Sequence, residues 1–344
     1  MSTVNRDEFL HVLESVKYGL YAKQSEQIVQ TKSFVFQNGW VKTFNGTEIF
    51  CKCPSGLEQE FTCAVTAKPL MELLHKLPEE ELGITADKGY LIVQGKGRKS
   101  RVHADAEITL PMEAVEKPTQ WTKLHEDFGD AIGMVHSCCG KDESQWSRLL
   151  HISPDHVEAC DNYQVIRWPL PTGFTSDVLV RPGSIKHLSR LGMTHFCNGV
   201  SWVHFRNADK LTYSICKYVD EYKDLTGLLN VNGTTTTFPK GLLKGIDIAE
   251  VFTGSDPDEK HIVKVSLAPG RVTLYGRGQF GDHTEGPKKA SYTGPKMEFQ
   301  ISTNVLADLI NRHNECVVSP EQVSVRDGRI QYCAWLFQDD NKEG

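Results

Sequence analysis

Three stretches decide the fold: Thr66-Ala-Lys-Pro-Leu-Met-Glu-Leu-Leu-His-Lys-Leu77, Arg181-Pro-Gly-Ser-Ile-Lys-His-Leu-Ser-Arg-Leu191 and Ser302-Thr-Asn-Val-Leu-Ala-Asp-Leu-Ile-Asn-Arg-His313. Each opens on a capping residue or has a proline near the helix start. Each follows a strand-like run, at Glu60–Val65, Asp177–Val180 and Lys296–Ile301, and each precedes short alternating strands. The letters do not repeat, but the order of elements does. A fixed order at a steady period points to copies of one supersecondary module.

Working outward, each helix has an earlier companion. Asn5 caps a helix to about Tyr18, with Phe9, Val12, Leu13, Val16 and Leu20 on one stripe. A second covers Leu124–Ser137, with Phe128, Ile132 and Val135 inward, and a third covers Pro239–Phe252, with Leu242, Leu243, Ile246 and Val251 inward. Strands fill the intervals, with a first set at Gln27–Thr31, Ser33–Gln37, Trp40–Asn45 and Thr47–Cys53. Asn38-Gly39, Asn45-Gly46 and Asp87-Lys-Gly89 are tight-turn signals. Each unit thus reads as strand, helix, three strands, then the same again.

The expected fold is α+β, three repeated modules with helices on one face of antiparallel sheets. The modules span 1–115, 121–232 and 233–344, and Pro111–Gln120 and Asp220–Asn232 connect them. Alternation at Phe34/Phe36, Val157/Ala159 and Val323/Val325 implies sheets buried on one face only. The tail Gln338–Gly344 is polar.

Composition narrows the function. No apolar run approaches the ~20 residues of a membrane span, and the N-terminus lacks a basic-then-apolar leader. The expected location is cytoplasmic, so the Asn-Gly-Thr sequons at Asn45 and Asn232 read as turns. The ten cysteines are then expected to be reduced. Cys51 and Cys53 share a sheet face, Cys138 and Cys139 are adjacent, and no cluster has zinc-site spacing. Net charge is −6, unevenly spread: six predicted helical windows hold 12 Lys/Arg against 10 Asp/Glu, and the rest of the chain 26 against 34.

Two motifs mislead. Gly276-Arg-Gly278-Gln-Phe-Gly281 has dinucleotide-loop letters, but Asp282-His-Thr-Glu-Gly-Pro287 breaks any following helix. Gly95-Lys-Gly-Arg-Lys-Ser100 lacks the phosphate-loop spacing and reads as a basic hairpin tip. No catalytic turn is recognisable, so no catalytic residue, metal or cofactor is assigned.

With this order in hand, the chain resembles the bacterial beta-type DNA sliding clamp, the processivity factor of the replicative polymerase. The resemblance rests on Arg6-Asp-Glu-Phe-Leu10, the helix ending in Lys76-Leu-Pro78, Gln94-Gly-Lys-Gly-Arg-Lys-Ser-Arg101 and Glu158-Ala-Cys-Asp-Asn-Tyr-Gln164. It also rests on Tyr213–Leu229, Tyr292-Thr-Gly-Pro-Lys-Met-Glu-Phe-Gln-Ile301 and the closing strand Gln331–Phe337. It implies a head-to-tail homodimeric ring lined by helices, without enzymatic activity, whose partners are duplex DNA, DNA polymerase and a clamp loader.

By position, the DNA contacts it implies are Lys17, Lys23, Lys96, Arg98, Lys99, Lys141, Trp146, Arg148, Lys186 and Arg190, with His187 on the most basic helix. The partner-peptide pocket it implies takes Leu149 or Leu150, Cys160, Asn162, Tyr163, Gln164, Val165, Leu228, Ala334, Trp335, Leu336 and Phe337. The usual Thr-Asp-Gly turn is here Cys160-Asp161-Asn162, and the closing strand lacks Met-Pro. Such divergence suits a bacteriophage-encoded member. Two alternatives stand beside the clamp: a clamp-fold adaptor for transcription or repair, and an enzyme with a cryptic site at His151, His156 and Asp161.

Overall fold

A computed structural model describes residues 2–21, 30–58, 61–142, 145–253, 261–312, 315–326 and 328–337. Lys23, most of the strand read at Gln27–Thr31, and the tail from Gln338 lie outside the described residues.

The expected order of elements is present three times. The first repeat runs β1 (Ser2–Asn5), α1 (Arg6–Val16), β2 (Ser33–Gln37), β3 (Trp40–Phe44), β4 (Ile49–Pro54), β5 (Cys63–Thr66), α2 (Ala67–Lys76), β6 (Glu81–Asp87), β7 (Tyr90–Gly95) and β8 (Arg98–Asp105). The second runs β9 (Thr122–Lys123), α3 (Phe128–Val135), β10 (Leu150–Ile152), β11 (His156–Cys160), β12 (Gln164–Pro169), β13 (Val178–Val180), α4 (Pro182–Ile185), α5 (Leu188–Leu191), β14 (His195–Asn198), β15 (Trp202–Arg206) and β16 (Thr212–Cys216). The third runs β17 (Thr234–Thr236), α6 (Leu242–Thr253), β18 (Ile262–Ala268), β19 (Arg271–Gly278), β20 (Gly281–Lys289), β21 (Met297–Ser302), α7 (Thr303–Arg312), β22 (Cys316–Val318), β23 (Gln322–Arg326) and β24 (Gln331–Trp335).

Local chemistry explains the elements. The Asn5 side chain accepts from the N–H groups of Asp7 and Glu8, which caps α1. Asn38 and Gly39 both take positive φ, 55° and 77°, as the two-residue turn between β2 and β3 requires. The stretch 181–191 is not one helix. It breaks into α4 and α5 at Lys186–His187, where the Ser189 hydroxyl takes the Lys186 carbonyl, and Gly192 then closes it with a left-handed φ of 57°. Val251, expected inward, is 68% exposed, because the buried stripe of α6 is Leu242, Gly245, Ile246 and Ala249.

The chain packs as two compact units. One holds Met1–His136, His151–Asp155 and Leu170–Asp220; the other holds Ser137–Leu150, His156–Pro169 and Glu221–Gly344. In the first unit, β4 of the first repeat pairs antiparallel with β16 of the second, Lys52 opposite Thr212 and Ile49 opposite Ile215. In the second unit, β12 pairs with β24 in the same manner, Arg167 opposite Gln331 and Gln164 opposite Ala334. The fourth strand of one repeat thus joins the last strand of the next, twice.

Strands β18 and β19 keep the expected half-burial, with alternate residues buried, but the sheets around β2–β4 and β11–β12 are covered on both faces. On one face of the first unit Phe9 stacks on Phe36 and the Thr43 hydroxyl donates to the Val16 carbonyl at the end of α1. On the other, Val35, Phe44, Phe50, Ala64 and Trp202 pack with Ile108 and Leu110 and with Met112 and Val115 at the start of the segment read as a linker. Gln30 fastens that segment through the Glu107 carbonyl and the Thr109 N–H, and Glu116 accepts from the N–H groups of Ser201 and Trp202 at 3.1 and 2.8 Å. The second unit repeats the device: Leu225 and Leu229 cover Cys160, Val165 and Cys333. Val35, Glu158 and Ser324, at the polar-side positions of the expected alternation, are therefore buried.

Candidate functional site

The second unit contains a cavity of about 610 Å³ built where the β11–β12 turn meets the chain end. The turn is held by Asp161, whose side chain accepts from the N–H groups of Tyr163 and Gln164 at 2.7 and 2.9 Å. The chain end is held by Trp335, whose N–H donates to the Tyr163 carbonyl at 2.8 Å, and by reciprocal backbone bonds between Phe337 and Gln300. Together these place the Tyr163 and Phe337 rings 5.3 Å apart at the cavity wall. Lys141, His261, Asn304 and Asp308 supply polar groups.

On the covered face of the same unit, Trp146 meets Tyr222 edge to face at 4.9 Å, with Lys223 over the indole at 5.5 Å. Both rings pack with Val231 and Trp335 against the cluster of Cys160, Val165, Leu225, Leu229 and Cys333. Burial pushes the Cys160 thiol up to about 12, which leaves an inert apolar group. All ten cysteines are free thiols.

Of the implied pocket residues, Asn162, Tyr163, Gln164 and Phe337 line the cavity. Leu149, Cys160, Val165, Ala334 and Leu336 are buried, Trp335 is half-buried, and Leu228 is 39% exposed. On the closing strand Ala334 and Leu336 are buried, and Trp335 packs on the cluster of Cys160, Val165 and Cys333. Tyr222, His261, Asn304 and Asp308 were not foreseen. Tyr222 lies in the connecting stretch Asp220–Asn232, and Asn304 and Asp308 lie on the helix read at 302–313, but nothing in the sequence marks them as site residues.

The implied DNA contacts fall in separate places. In the first unit, Lys17 follows α1, pairs with Glu14 and lies near the Tyr18 ring. The Tyr18 ring meets His187 at 4.4 Å, tilted by 30°, and the exposed Lys186 and Arg190 flank that imidazole. Burial, then the charges of Lys186, Arg190 and His136, pushes His187 down to about 4, so it is neutral at pH 7. Lys96, Arg98 and Lys99 occupy the β7–β8 hairpin, and Arg98 bonds Glu79 at 2.6 Å. Lys141 lines the cavity; Trp146 packs, as described, and Arg148 donates to the Gln145 carbonyl at 3.0 Å.

Of the three residues read as a cryptic site, His151 is buried on β10. His156 and Asp161 lie at opposite ends of β11, and His156 sits 3.3 Å from Glu158. The Gly276–Gly281 stretch is the β19–β20 hairpin, with no helix after it. No helix among the described residues is long and apolar enough to cross a membrane.

No family model and no curated protein sequence matches the chain. Solved structures do. A DNA polymerase sliding clamp from Pseudomonas aeruginosa, with ligand, superposes with a TM-score of 0.82 at 12% identity, over 98% of this chain and 99% of that one. A sliding clamp from Bartonella birtlesii, the DNA polymerase III subunit beta bound to griselimycin, gives 0.84 at 13% identity over the same shares. The DNA polymerase III beta subunit of Thermotoga maritima gives 0.82 at 12% identity, again over 98% and 99%. The fold is that of the bacterial sliding clamps. More narrowly, the solved structures it resembles are beta subunits of DNA polymerase III, matched from end to end.

Proposed function

We propose that this chain is a DNA sliding clamp and polymerase processivity factor without enzymatic activity of its own. Two copies close head to tail into a ring of six modules around duplex DNA, tether a DNA polymerase, and open for a clamp loader.

The observation that carries the reading is the strand arithmetic of the repeat. Fourth strands β4 and β12 are each taken by a last strand, β16 and β24. Fourth strand β20 has only β19 beside it, and residues 98–103 of β8 have only β7, among the described residues. Unpaired edges invite a partner, and a second copy supplies both at once.

The repeat also sets the register. The bridges Leu179–Tyr218 and Gln300–Phe337 stand where Ala64 pairs with Asp105, which aligns Lys99 with Thr212 and Gln331. Tyr275–Thr284 stands where Lys42 pairs with Lys52. Arg101 of one copy then falls opposite Asp282 of the other. In this arrangement the basic β8 hairpin serves closure more than DNA.

Lys17, Lys186 and Arg190 are the DNA-facing cations of the first unit. Neutral His187 keeps their charge modest, and phosphate contacts without base contacts allow sliding. The partner peptide docks at the Tyr163–Phe337 and Trp146–Tyr222–Trp335 surfaces, with apolar side chains on an aromatic rim. Sedimentation tests closure directly: a species of twice 38.6 kDa is expected. Primer extension with a cognate polymerase should give longer products in its presence. A monomer at all concentrations, with unchanged product length, would refute the reading.

A further inference from the structure

Strands β3 and β4 place Lys42 directly opposite Lys52. Like charges in that position destabilise a sheet. The second repeat shows what the position otherwise holds. Flanking pairs Trp40–Pro54 and His156–Pro169 align the hairpins, and at the matching step Glu158 faces Arg167. Those two are joined by charge-assisted bonds at 2.7 Å. In the third repeat the step is Tyr275 opposite Thr284. Only the first repeat sets two cations against each other.

Among the described residues of the unit, nothing neutralises them. Lys42 and Lys52 are half-buried, and neither has a carboxylate partner among the described residues. The Lys42 ammonium donates to the Gln37 side-chain carbonyl at 2.8 Å, and that of Lys52 lies 5.4 Å from the Trp40 ring centre. Burial, then the charge of Lys52, holds Lys42 below the ordinary lysine range; burial, then the charge of Lys117, does the same to Lys52. The nearby Glu116 is committed to the N–H groups of Ser201 and Trp202.

Beside the pair lies a second cavity of about 610 Å³, walled by Trp40, Lys52, Pro118, Trp121, Arg206 and Lys210. The Arg206 guanidinium stacks over Trp121 at 4.3 Å. The cavity thus joins aromatic walls to unpaired positive charge, in a chain whose net charge is −6.

We infer that this cavity docks an acidic peptide segment carrying an aromatic side chain, its carboxylates among Lys42, Lys52 and Arg206 and its ring against Trp40, Pro118 and Trp121. An incoming carboxylate supplies the counter-charge that Glu158 supplies in the second repeat. Single-stranded nucleic acid fits less well. It asks for a track of cations and successive stacking platforms, whereas these cations converge on one cavity. The inference stands on this geometry and does not depend on ring closure or on DNA.

The test is titration calorimetry on the full chain with acetyl-Asp-Asp-Phe-Asp-Asp-amide. Binding should be about tenfold tighter than for acetyl-Ser-Ser-Phe-Ser-Ser-amide, and salt-sensitive. The double variant Lys42→Glu, Lys52→Arg builds the ion pair of the second repeat. It should melt no lower than the parent and lose about tenfold in affinity. Trp121→Ala, at a half-exposed position, should lose a similar factor and reports independently if the double variant misfolds. Equal affinity for the two peptides overturns the inference. So does unchanged affinity in the folded variants, or tighter binding of an oligothymidylate of about ten nucleotides that the same variants abolish.

Discussion

The Tyr163 ring lies 5.3 Å from that of Phe337, tilted by 43°, and the backbone beneath them is tied by the Trp335 N–H on the Tyr163 carbonyl. A turn in the second repeat and the closing segment of the third thus share one aromatic rim. If this rim receives the polymerase, Tyr163→Ala and Phe337→Ala should each cut primer-extension stimulation about tenfold. Both rings are only half-buried, so stability should fall by about 1 kcal/mol or less. Full stimulation by both variants would remove the rim from the partner site.

Duplex affinity should be weak, salt-dependent and blind to sequence. Replacing Lys186 and Arg190 together by alanine should weaken it and reduce the slope of log affinity against log salt by about two. Fluorescence anisotropy over a salt series measures the slope. A preference for one duplex sequence over others would contradict a sliding contact.

The Arg101–Asp282 register predicts a charge-swap pattern. Arg101→Asp and Asp282→Arg should each shift sedimentation toward monomer, and the combined variant should recover the dimer. Recovery is the informative result, since either single change could act by general repulsion. Failure of the combined variant to recover would reject this register.

Acid should destabilise the first unit through His204. This imidazole is buried, with its Nδ1 2.8 Å from the Ser214 hydroxyl. Burial is the main cause that pushes it down from 6.5 to about 4; Lys52 and Lys217 add to the effect, and Glu116 opposes it. The folded value lies below the unfolded one, so the unfolded chain binds the proton more readily between them. His204's contribution is therefore complete above about pH 6.5 and is lost as pH falls toward 4. Thermal melts across that window should flatten in His204→Gln. An identical pH profile in the variant would show that other groups set the acid response.

Much of this fold is legible from periodicity, and the misses share a cause. The stripes of α1 and α2 and the Asn38-Gly39 turn follow from rules that need only neighbours in sequence. Strand faces do not. Phe34 and Phe36 mark one buried face of β2, but Val35 is also fully buried, because Leu110 and Met112, some 75 residues on, return to cover it. The 181–191 stretch, read as one helix, breaks at Lys186–His187, where the Ser189 hydroxyl donates to the Lys186 carbonyl. Tyr163 and Phe337, named by position in the sequence, meet at the cavity wall. What no local rule supplies is the helix that completes that wall, Asn304 and Asp308, which lie some 140 residues beyond Tyr163. Lys42 and Lys52 gave no signal at all, since their meaning lies in which residues face them across the hairpin.

Topological linkage to DNA tests the central claim most directly. The variant Arg101→Cys with Asp282→Cys is mixed with a circular plasmid, oxidised to lock the seam, and passed over a sizing column in high salt. The locked protein should elute with the circle and be released when a restriction enzyme linearises the DNA. Loss from the circle before cutting, or retention on the linear form, would show that the chain does not encircle DNA.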